Sequence, residues 1–280
     1  KTISYPQQPL SSEEKISQRL TLKYLIFSMI IAIIIANVIV IFSEEHSKHS
    51  VSLWTLNITA AIASILCIIT ICRYGIHGLH GKSYLFLALG IICWFSADFT
   101  LLYNYYALGI EEQRLVTITD ILWFAGYGFL ALHLFIIIRS LHIKIKSKLV
   151  IGVSLITVLL ISYNLVKLLS YDSDIEDDFI AIIVTLLYPI LDFILIIPSS
   201  IILVTLRKDY EHNIPWLLSS LSLLVNAIAD DGYVNDFVTG NSENLWFWEL
   251  FYITDFIIMS GALFWYNKFH VSHSKKIKIE

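Results

Sequence analysis

Long apolar runs separated by short polar loops dominate the chain from residue 23 onward. A helix that crosses a bilayer needs about 20 mostly apolar residues, and eight runs of roughly that length follow one another. They predict helices at residues 23–43, 51–73, 82–104, 117–139, 148–169, 179–206, 213–236 and 245–267. We therefore expect an all-α, polytopic membrane protein with eight transmembrane helices.

Acidic residues inside these apolar runs recur at similar spacings in the two halves of the chain. Asp98 precedes Asp120 by 22 residues, and Asp230 precedes Glu249 by 19 residues. This spacing aligns predicted helices 2–4 with predicted helices 6–8, and it pairs the first helix with the fifth. Because both halves then have the same orientation, we expect two parallel four-helix repeats related by an axis along the membrane normal.

The composition favours a membrane location as well. Hydrophobic residues make up 57% of the chain and charged residues 15%, with a mean hydropathy of +0.73. Soluble domains carry about 25% charged residues, so this chain has too little charge to cover a water-exposed surface. The three cysteines lie in apolar runs without CxxC or zinc-type spacing, which indicates packing residues rather than disulfides or a metal site. Eight crossings leave no room for a separate soluble catalytic domain in 280 residues.

The basic residues predict how the helices are oriented. Short loops on the cytoplasmic side of a membrane are enriched in Lys and Arg. In the eight-helix topology, 16 of the 19 Lys and Arg residues fall on the side that holds both termini. We therefore expect a multi-pass cell-membrane protein with cytoplasmic N- and C-termini. Its segments would be a cytoplasmic amphipathic lead-in at residues 1–22, the two repeats at 23–139 and 140–267, and a basic cytoplasmic tail at 268–280. The acidic loop at 172–178 would lie outside, as a solvated loop or, alternatively, as a mouth that attracts cations.

Several acids lie inside the predicted helices without a basic partner, since no Lys or Arg lies well inside any of them. A charge at the bilayer centre costs on the order of 2.5–3.5 kcal/mol, so such acids indicate a functional site. They can be protonated, accept hydrogen bonds from nearby polar side chains, or hold a cation. The predicted ligand-binding residues are Asp98, Asp120, Tyr127, Tyr188, Asp192, Asp230, Glu249, Tyr252 and Asp255. For Asp120 and Glu249, near the outer helix ends, the alternative is capping beside an interfacial aromatic belt.

Two spacings predict local structure around these acids. Pro189 lies between Tyr188 and Asp192 and removes a backbone donor, which predicts a helix break that lines a cavity. Asn226 precedes Asp230 by four residues, so the two side chains share a helix face and are predicted partners.

The histidines give weaker signals. His133 follows Asp120 by 13 residues, about 220° around the helix, so a packed and hydrogen-bonded histidine is the preferred interpretation. His77 and His80 could bind a metal, but neither a cysteine nor an acid lies near them in the sequence. The sequence leaves the cofactor and any metal unassigned. A hard cation is a candidate ligand because carboxylate oxygens suit one.

Four motifs in predicted helices 3–8 carry a family resemblance. They are Asp98, Thr119–Tyr127 (TDILWFAGY), Leu187–Asp192 (LYPILD) and Ala229-Asp230. With these motifs the chain resembles the multi-helix N-terminal membrane regions found ahead of bacterial diguanylate cyclases and histidine kinases. The resemblance implies a sensory role with a ligand still to be found. No output domain follows the last predicted helix, so the resemblance implies either a longer natural chain or signalling through partners.

A second resemblance rests on Ala97-Asp98, on Phe129 with His133, and on Ala229-Asp230. With these motifs the eight-helix plan is similar to the YhhN (lysoplasmalogenase) family, which implies hydrolysis of the vinyl-ether bond of lysoplasmalogens. Asp98 and Asp230 would then be the catalytic acid and base, with His133 assisting. The chain departs from that family late in the sequence, where Glu249, Tyr252 and Asp255 replace its usual Tyr and Gln.

Three functions follow from these observations, in order of preference. The first is a non-catalytic, sensory-type module that binds a small molecule or cation in an acidic pocket open to the outside. The second is an intramembrane ether-lipid hydrolase, and the third is an accessory subunit of a larger membrane complex. The expected partners are membrane lipids and other membrane proteins, and we expect no nucleic acid.

Overall fold

The chain is almost entirely helical in the part that the computed structural model describes, which comprises residues 12–109, 117–143, 147–170, 179–238 and 245–271. These residues form no β-strand, so the predicted all-α class is confirmed. The helices are α1 (Ser12–Ile41), α2 (Lys48–Tyr74), α3 (Gly78–Leu108), α4 (Ile118–Ser140), α5 (Ser147–Ser170), α6 (Phe179–Leu206), α7 (Tyr210–Val238) and α8 (Leu245–Trp265). A π-helical segment, Tyr266–Val271, continues α8.

Six helices of the described segments are long and apolar enough to cross a membrane. These spans are Ile16–Ile41, Glu45–Tyr74, Gly78–Leu108, Ile118–Ser140, Leu187–Asp209 and Leu245–His270. Large apolar side chains such as Phe27, Ile34 and Phe135 are exposed on their surfaces, as expected for helices that face lipid. The chain is therefore a multi-pass membrane protein. The helix α7 is equally long but carries three acids in its second half, and α5 is apolar over the shorter stretch Ser147–Tyr163.

Six helices form a closed ring, in the order α2, α3, α4, α6, α7 and α8, with α8 packed back against α2. The helices α1 and α5 lie outside this ring. Of these two, α1 packs against α8 and α2, and α5 packs against α6 and α7. Each acid of the predicted site lies on a ring helix, and neither α1 nor α5 contributes a predicted site residue.

Two small residues let α3 and α4 pack closely. A Cβ added to Gly90 would lie 2.7 Å from Cγ of Leu130, and one added to Gly126 would lie 2.3 Å from Cδ1 of Trp94. Both distances are too short for any side chain larger than hydrogen, as in other close helix contacts inside membranes. This contact brings Trp94 beside Tyr127, with ring centroids 5.2 Å apart in an edge-to-face arrangement. The α3–α4 contact thus fixes the position of a tyrosine predicted for the site.

Two details differ from the sequence prediction. The helix α6 runs through Pro189 and Pro198, so the predicted break between Tyr188 and Asp192 is wrong. The fixed φ of proline suits a helix, and Pro189 removes only one backbone hydrogen bond, that to the carbonyl of Thr185. The helix α1 begins at Ser12, so residues 12–22 of the predicted lead-in form one helix with the first span, and residues 1–11 lie outside the described residues. The acidic loop at 172–178 and most of the predicted basic tail lie outside the described residues.

Candidate functional site

Buried carboxyl groups from helices around the whole ring lie in the part of the bundle between the middles of α6 and α8 and the C-terminal halves of α3 and α7. We call them the acidic cluster: Asp98, Asp120, Asp192, Asp230, Glu249 and Asp255. Five different helices contribute these residues. Burial of so many acids in a lipid-facing bundle requires specific partners, and the hydrogen bonds show what these partners are.

The hydroxyl group of Tyr127 lies at the centre of the acidic cluster. It is 2.9 Å from Oδ1 of Asp192 and is also hydrogen-bonded to Oδ2 of Asp230. Asp230 accepts two further hydrogen bonds, from the hydroxyl of Tyr252 and from the side-chain amide of Asn226 at 2.6 Å. The Asn226 contact is the one that the four-residue spacing on α7 predicts. One tyrosine of α4 thus connects an acid of α6 with an acid of α7.

Asp98 lies on the opposite side of the ring, on α3. The indole N–H of Trp123 donates to its Oδ1 at 3.2 Å, and the side-chain amide of Asn57 donates to its backbone carbonyl at 3.3 Å. Its carboxyl group is within electrostatic range of Asp230. Asp255 is within the same range of both Asp98 and Asp230, so these three acids share one region.

Asp120 lies in the first turn of α4, and Glu249 is the fifth residue of α8. Asp120 accepts a hydrogen bond from the backbone N–H of Thr117 at 2.7 Å, which is a capping contact, and another from the hydroxyl of Tyr188 on α6 at 2.7 Å. Glu249 accepts a hydrogen bond from Ser52 on α2, and its Oε1 lies 3.6 Å from Nδ1 of His49. Asp120 therefore caps its helix and also joins α4 to α6.

Two carboxyl oxygens of the acidic cluster lack any partner in the described part of the chain. Ser222 donates to Oδ1 of Asp255, but Oδ2 of Asp255 has no hydrogen bond, and neither has Oδ2 of Asp192. Both residues are almost completely buried, at 1% and 3% exposure. A buried polar atom without a partner costs about 1–3 kcal/mol, so each oxygen needs an explanation.

The basic side chains do not compensate the acidic cluster. Within the described residues, no Lys or Arg forms an ion pair with any of its six carboxyl groups. His49, beside Glu249, provides the nearest imidazole. Nor do the described residues include a group of three or more His, Cys, Asp or Glu side chains arranged to hold a metal ion.

His133 does not reach the acidic cluster. Its Nδ1 lies 2.8 Å from Oγ of Ser83, and its ring packs against Tyr84 with centroids 6.0 Å apart. Ser83 precedes Asp98 by 15 residues, which is about 22 Å along α3. His133 is thus the packed, hydrogen-bonded residue of the preferred interpretation. The structure separates it from the acid–base pair of the hydrolase interpretation.

Several partners of the acids were not among the predicted site residues: Trp123, Asn57, Ser52, Ser222 and His49. Only Trp123 could have been predicted from the sequence. It follows Asp120 by three residues, the same spacing that separates the predicted site residue Tyr252 from Glu249. The others come from different helices, and sequence spacing within one helix does not reveal contacts between helices.

No family model matches the chain, and neither a curated protein nor a solved structure shows significant similarity to it. The two family resemblances drawn from the motifs therefore stay predictions.

Proposed function

We propose that the chain is a sensory-type membrane module that binds a cationic small molecule at the acidic cluster. The observation that supports this most strongly is the gathering of six buried carboxyl groups from five helices without a Lys or Arg partner among the described residues. A bound cation supplies the positive charge that these acids lack. It also gives the unpartnered oxygens of Asp192 and Asp255 something to contact.

The surroundings of the acidic cluster favour an organic cation over a metal ion. Trp123, Tyr127 and Tyr252 each donate a hydrogen bond to a carboxyl group, so their rings lie beside the acids. Aromatic faces attract ammonium groups through cation–π interactions, which strengthen when water is excluded. A hard metal ion would instead require several oxygen ligands around one point. No such group of three occurs within the described residues.

Thermal unfolding of the purified protein in detergent tests this function. The probes are tetramethylammonium, choline, spermidine, Na⁺, K⁺, Mg²⁺ and Ca²⁺, each added separately. A cation at about 100 times its Kd stabilises the folded state by about 2.7 kcal/mol and raises the melting temperature. We expect this rise in the wild type, its loss in Asp98→Asn and Asp230→Asn, and its retention in the exposed control Glu44→Gln. Unchanged melting temperatures with every probe would contradict the proposal.

We also propose the parallel repeat and the cytoplasmic termini. The ring order supports the repeat, because exchanging α2–α4 with α6–α8 reproduces the same neighbours. The hydrogen bonds support it too: Trp123 donates to Asp98 as Tyr252 donates to Asp230. Single cysteines placed near residues 77 and 142 should react only with thiol reagents that cross the membrane into the cytoplasm. Cysteines placed near residue 45 should also react with thiol reagents that stay outside the cell. The opposite labelling pattern would reverse the orientation.

Ether-lipid hydrolysis is a second candidate function that one observation favours. Asp230 accepts hydrogen bonds from three side chains and Asp98 from one, so the two acids have unequal environments, as a catalytic acid and base require. Release of aldehyde from a lysoplasmalogen by the solubilised protein, lost in both Asp→Asn variants, would support hydrolysis. Absence of aldehyde together with cation-dependent stabilisation would leave the binding module. Copurification of a stoichiometric partner would favour an accessory subunit.

A further inference from the structure

The contacts of Tyr127 limit the number of protons at the centre of the acidic cluster. The hydroxyl oxygen of Tyr127 contacts Oδ1 of Asp192 and Oδ2 of Asp230 at once. A phenol carries a single hydrogen, so two ionised carboxylates could only share it in a weaker three-centre bond. If both acids were ionised, the second contact would bring two unshared electron pairs together. A proton on one of the two carboxyl groups removes this repulsion, because that acid can then donate to the phenol oxygen or to the other carboxyl group.

The hydrogen bonds identify which acid carries that proton. Asp230 accepts from Tyr127, Tyr252 and Asn226, and several hydrogen bonds to a carboxylate stabilise its ionised form. Asp192 accepts a hydrogen bond from Tyr127 alone in the described part of the chain, and its buried Oδ2 accepts none. Its carboxyl group also lies within hydrogen-bonding range of that of Asp230. An ionised Asp192 would leave one charged oxygen without a partner in a buried site, whereas a protonated Asp192 would not. Asp192 is thus the acid that carries the proton, and Asp230 is the acid that accepts hydrogen bonds from its neighbours.

The groups around this pair add negative charge rather than compensate it. The titratable side chains within electrostatic range are Asp98 on α3, Tyr188 on α6, Asp231 on α7, and Tyr252 and Asp255 on α8. All of them are acids or phenols. Before a cation binds, a proton therefore supplies the positive charge beside Asp192 and Asp230. The proton and the cation then compete for the same carboxyl group.

We propose that Asp192 holds a proton in the ligand-free protein and releases it when a monovalent cation binds at the acidic cluster. This inference rests on the proposed binding function. The exchange is balanced: the O–H bond of Asp192 breaks, its electron pair stays on the carboxylate, and the proton passes to solvent as the cation takes its place. Tyr127 keeps its own hydrogen and positions the pair. Binding is then linked to pH, because each bound cation releases one proton.

The first experiment needs no ligand. Infrared spectra of the ligand-free full chain separate the carbonyl stretch of a protonated carboxylic acid from the bands of a carboxylate. We expect Asp192→Asn to remove one acid band at neutral pH, and Tyr127→Phe to shift that band because the hydrogen bond is lost. Tyr188→Phe is the matched control, since its hydroxyl contacts Asp120 alone among the acids. Identical acid bands in the wild type and Asp192→Asn would overturn the proposal.

The second experiment measures the exchange. Tetramethylammonium, choline, Na⁺ and K⁺ are added in turn to weakly buffered wild-type protein, with a pH indicator in solution. We expect one proton released per bound cation, loss of this release in Asp192→Asn, and its retention in the exposed control Glu44→Gln. Failure of every cation to release a proton would overturn the exchange. Cations that stabilise the protein without proton release would overturn it too, while leaving the proposed binding function intact.

Discussion

Replacing Gly126 by alanine would place a methyl group inside the contact between α3 and α4. The added Cβ would lie 2.3 Å from Cδ1 and 2.5 Å from Nε1 of Trp94, so the indole must move. That indole donates a hydrogen bond to the carbonyl of Trp123 at 3.2 Å and packs edge-on against Tyr127. The substitution therefore reaches two residues that hold the acidic cluster together.

Three contributions set the change in the free energy of unfolding caused by Gly126→Ala. Overpacking of a core costs about 1–3 kcal/mol, and loss of the Trp94 hydrogen bond costs about 1 kcal/mol. Alanine in place of glycine returns about 1 kcal/mol through its higher helix propensity. The expected net loss is about 1–3 kcal/mol in the free energy of unfolding. Gly128→Ala on the same helix is the matched control, because its added Cβ meets nothing within 4 Å.

The assay compares the thermal unfolding of the two variants in the same detergent. Gly128→Ala should match or exceed the wild type, and Gly126→Ala should melt at a lower temperature. A cation that stabilises the wild type should stabilise Gly128→Ala equally and Gly126→Ala less. Equal stability of the two variants would refute the α3–α4 packing described above, and with it the account of how Tyr127 is positioned.

Three further predictions use the same unfolding assay. Ser222→Ala leaves Asp255 without its donor and should lower the free energy of unfolding by about 1–3 kcal/mol. Combining it with Asp255→Asn should recover part of that loss, and fully additive effects of the two substitutions would contradict the contact. Asn226→Ala removes one of three side-chain donors to Asp230 and should weaken cation-dependent stabilisation, whereas an unchanged shift would exclude Asn226 from the site. His133→Gln should lower stability by about 1 kcal/mol yet preserve that shift, because the ring lies far from the acids; loss of the shift would bring His133 back into the site.

The helix positions could be predicted closely because they depend on local signals. The predicted helix at 179–206 coincides with α6, and the predicted start at 245 coincides with α8. Apolar length and flanking polar residues decide such boundaries, and both are visible in the sequence. The exception is α1, whose polar first turns continue the span instead of forming a separate segment. Pro189 misled the prediction because its neighbours hold α6 in helical form despite the missing hydrogen bond.

The contacts of the acids were harder to predict than their positions. The pairing of Asn226 with Asp230 follows from one helix period, so the sequence was sufficient. The donation from Ser52 to Glu249 joins residues 197 positions apart. Such a contact depends on the rotation of α2 and α8 about their axes and on their closure of the ring, which spacing within one helix does not encode.

The ring order places α3 and α7 three positions apart among six helices, so Asp98 and Asp230 approach each other across a diameter. A ligand bound between them would contact both halves of the bundle at once. Its size and charge would then set the diameter of the ring at that level, and all six helices would move together. Ligand binding would therefore change the diameter of the bundle instead of shifting a single helix along its axis.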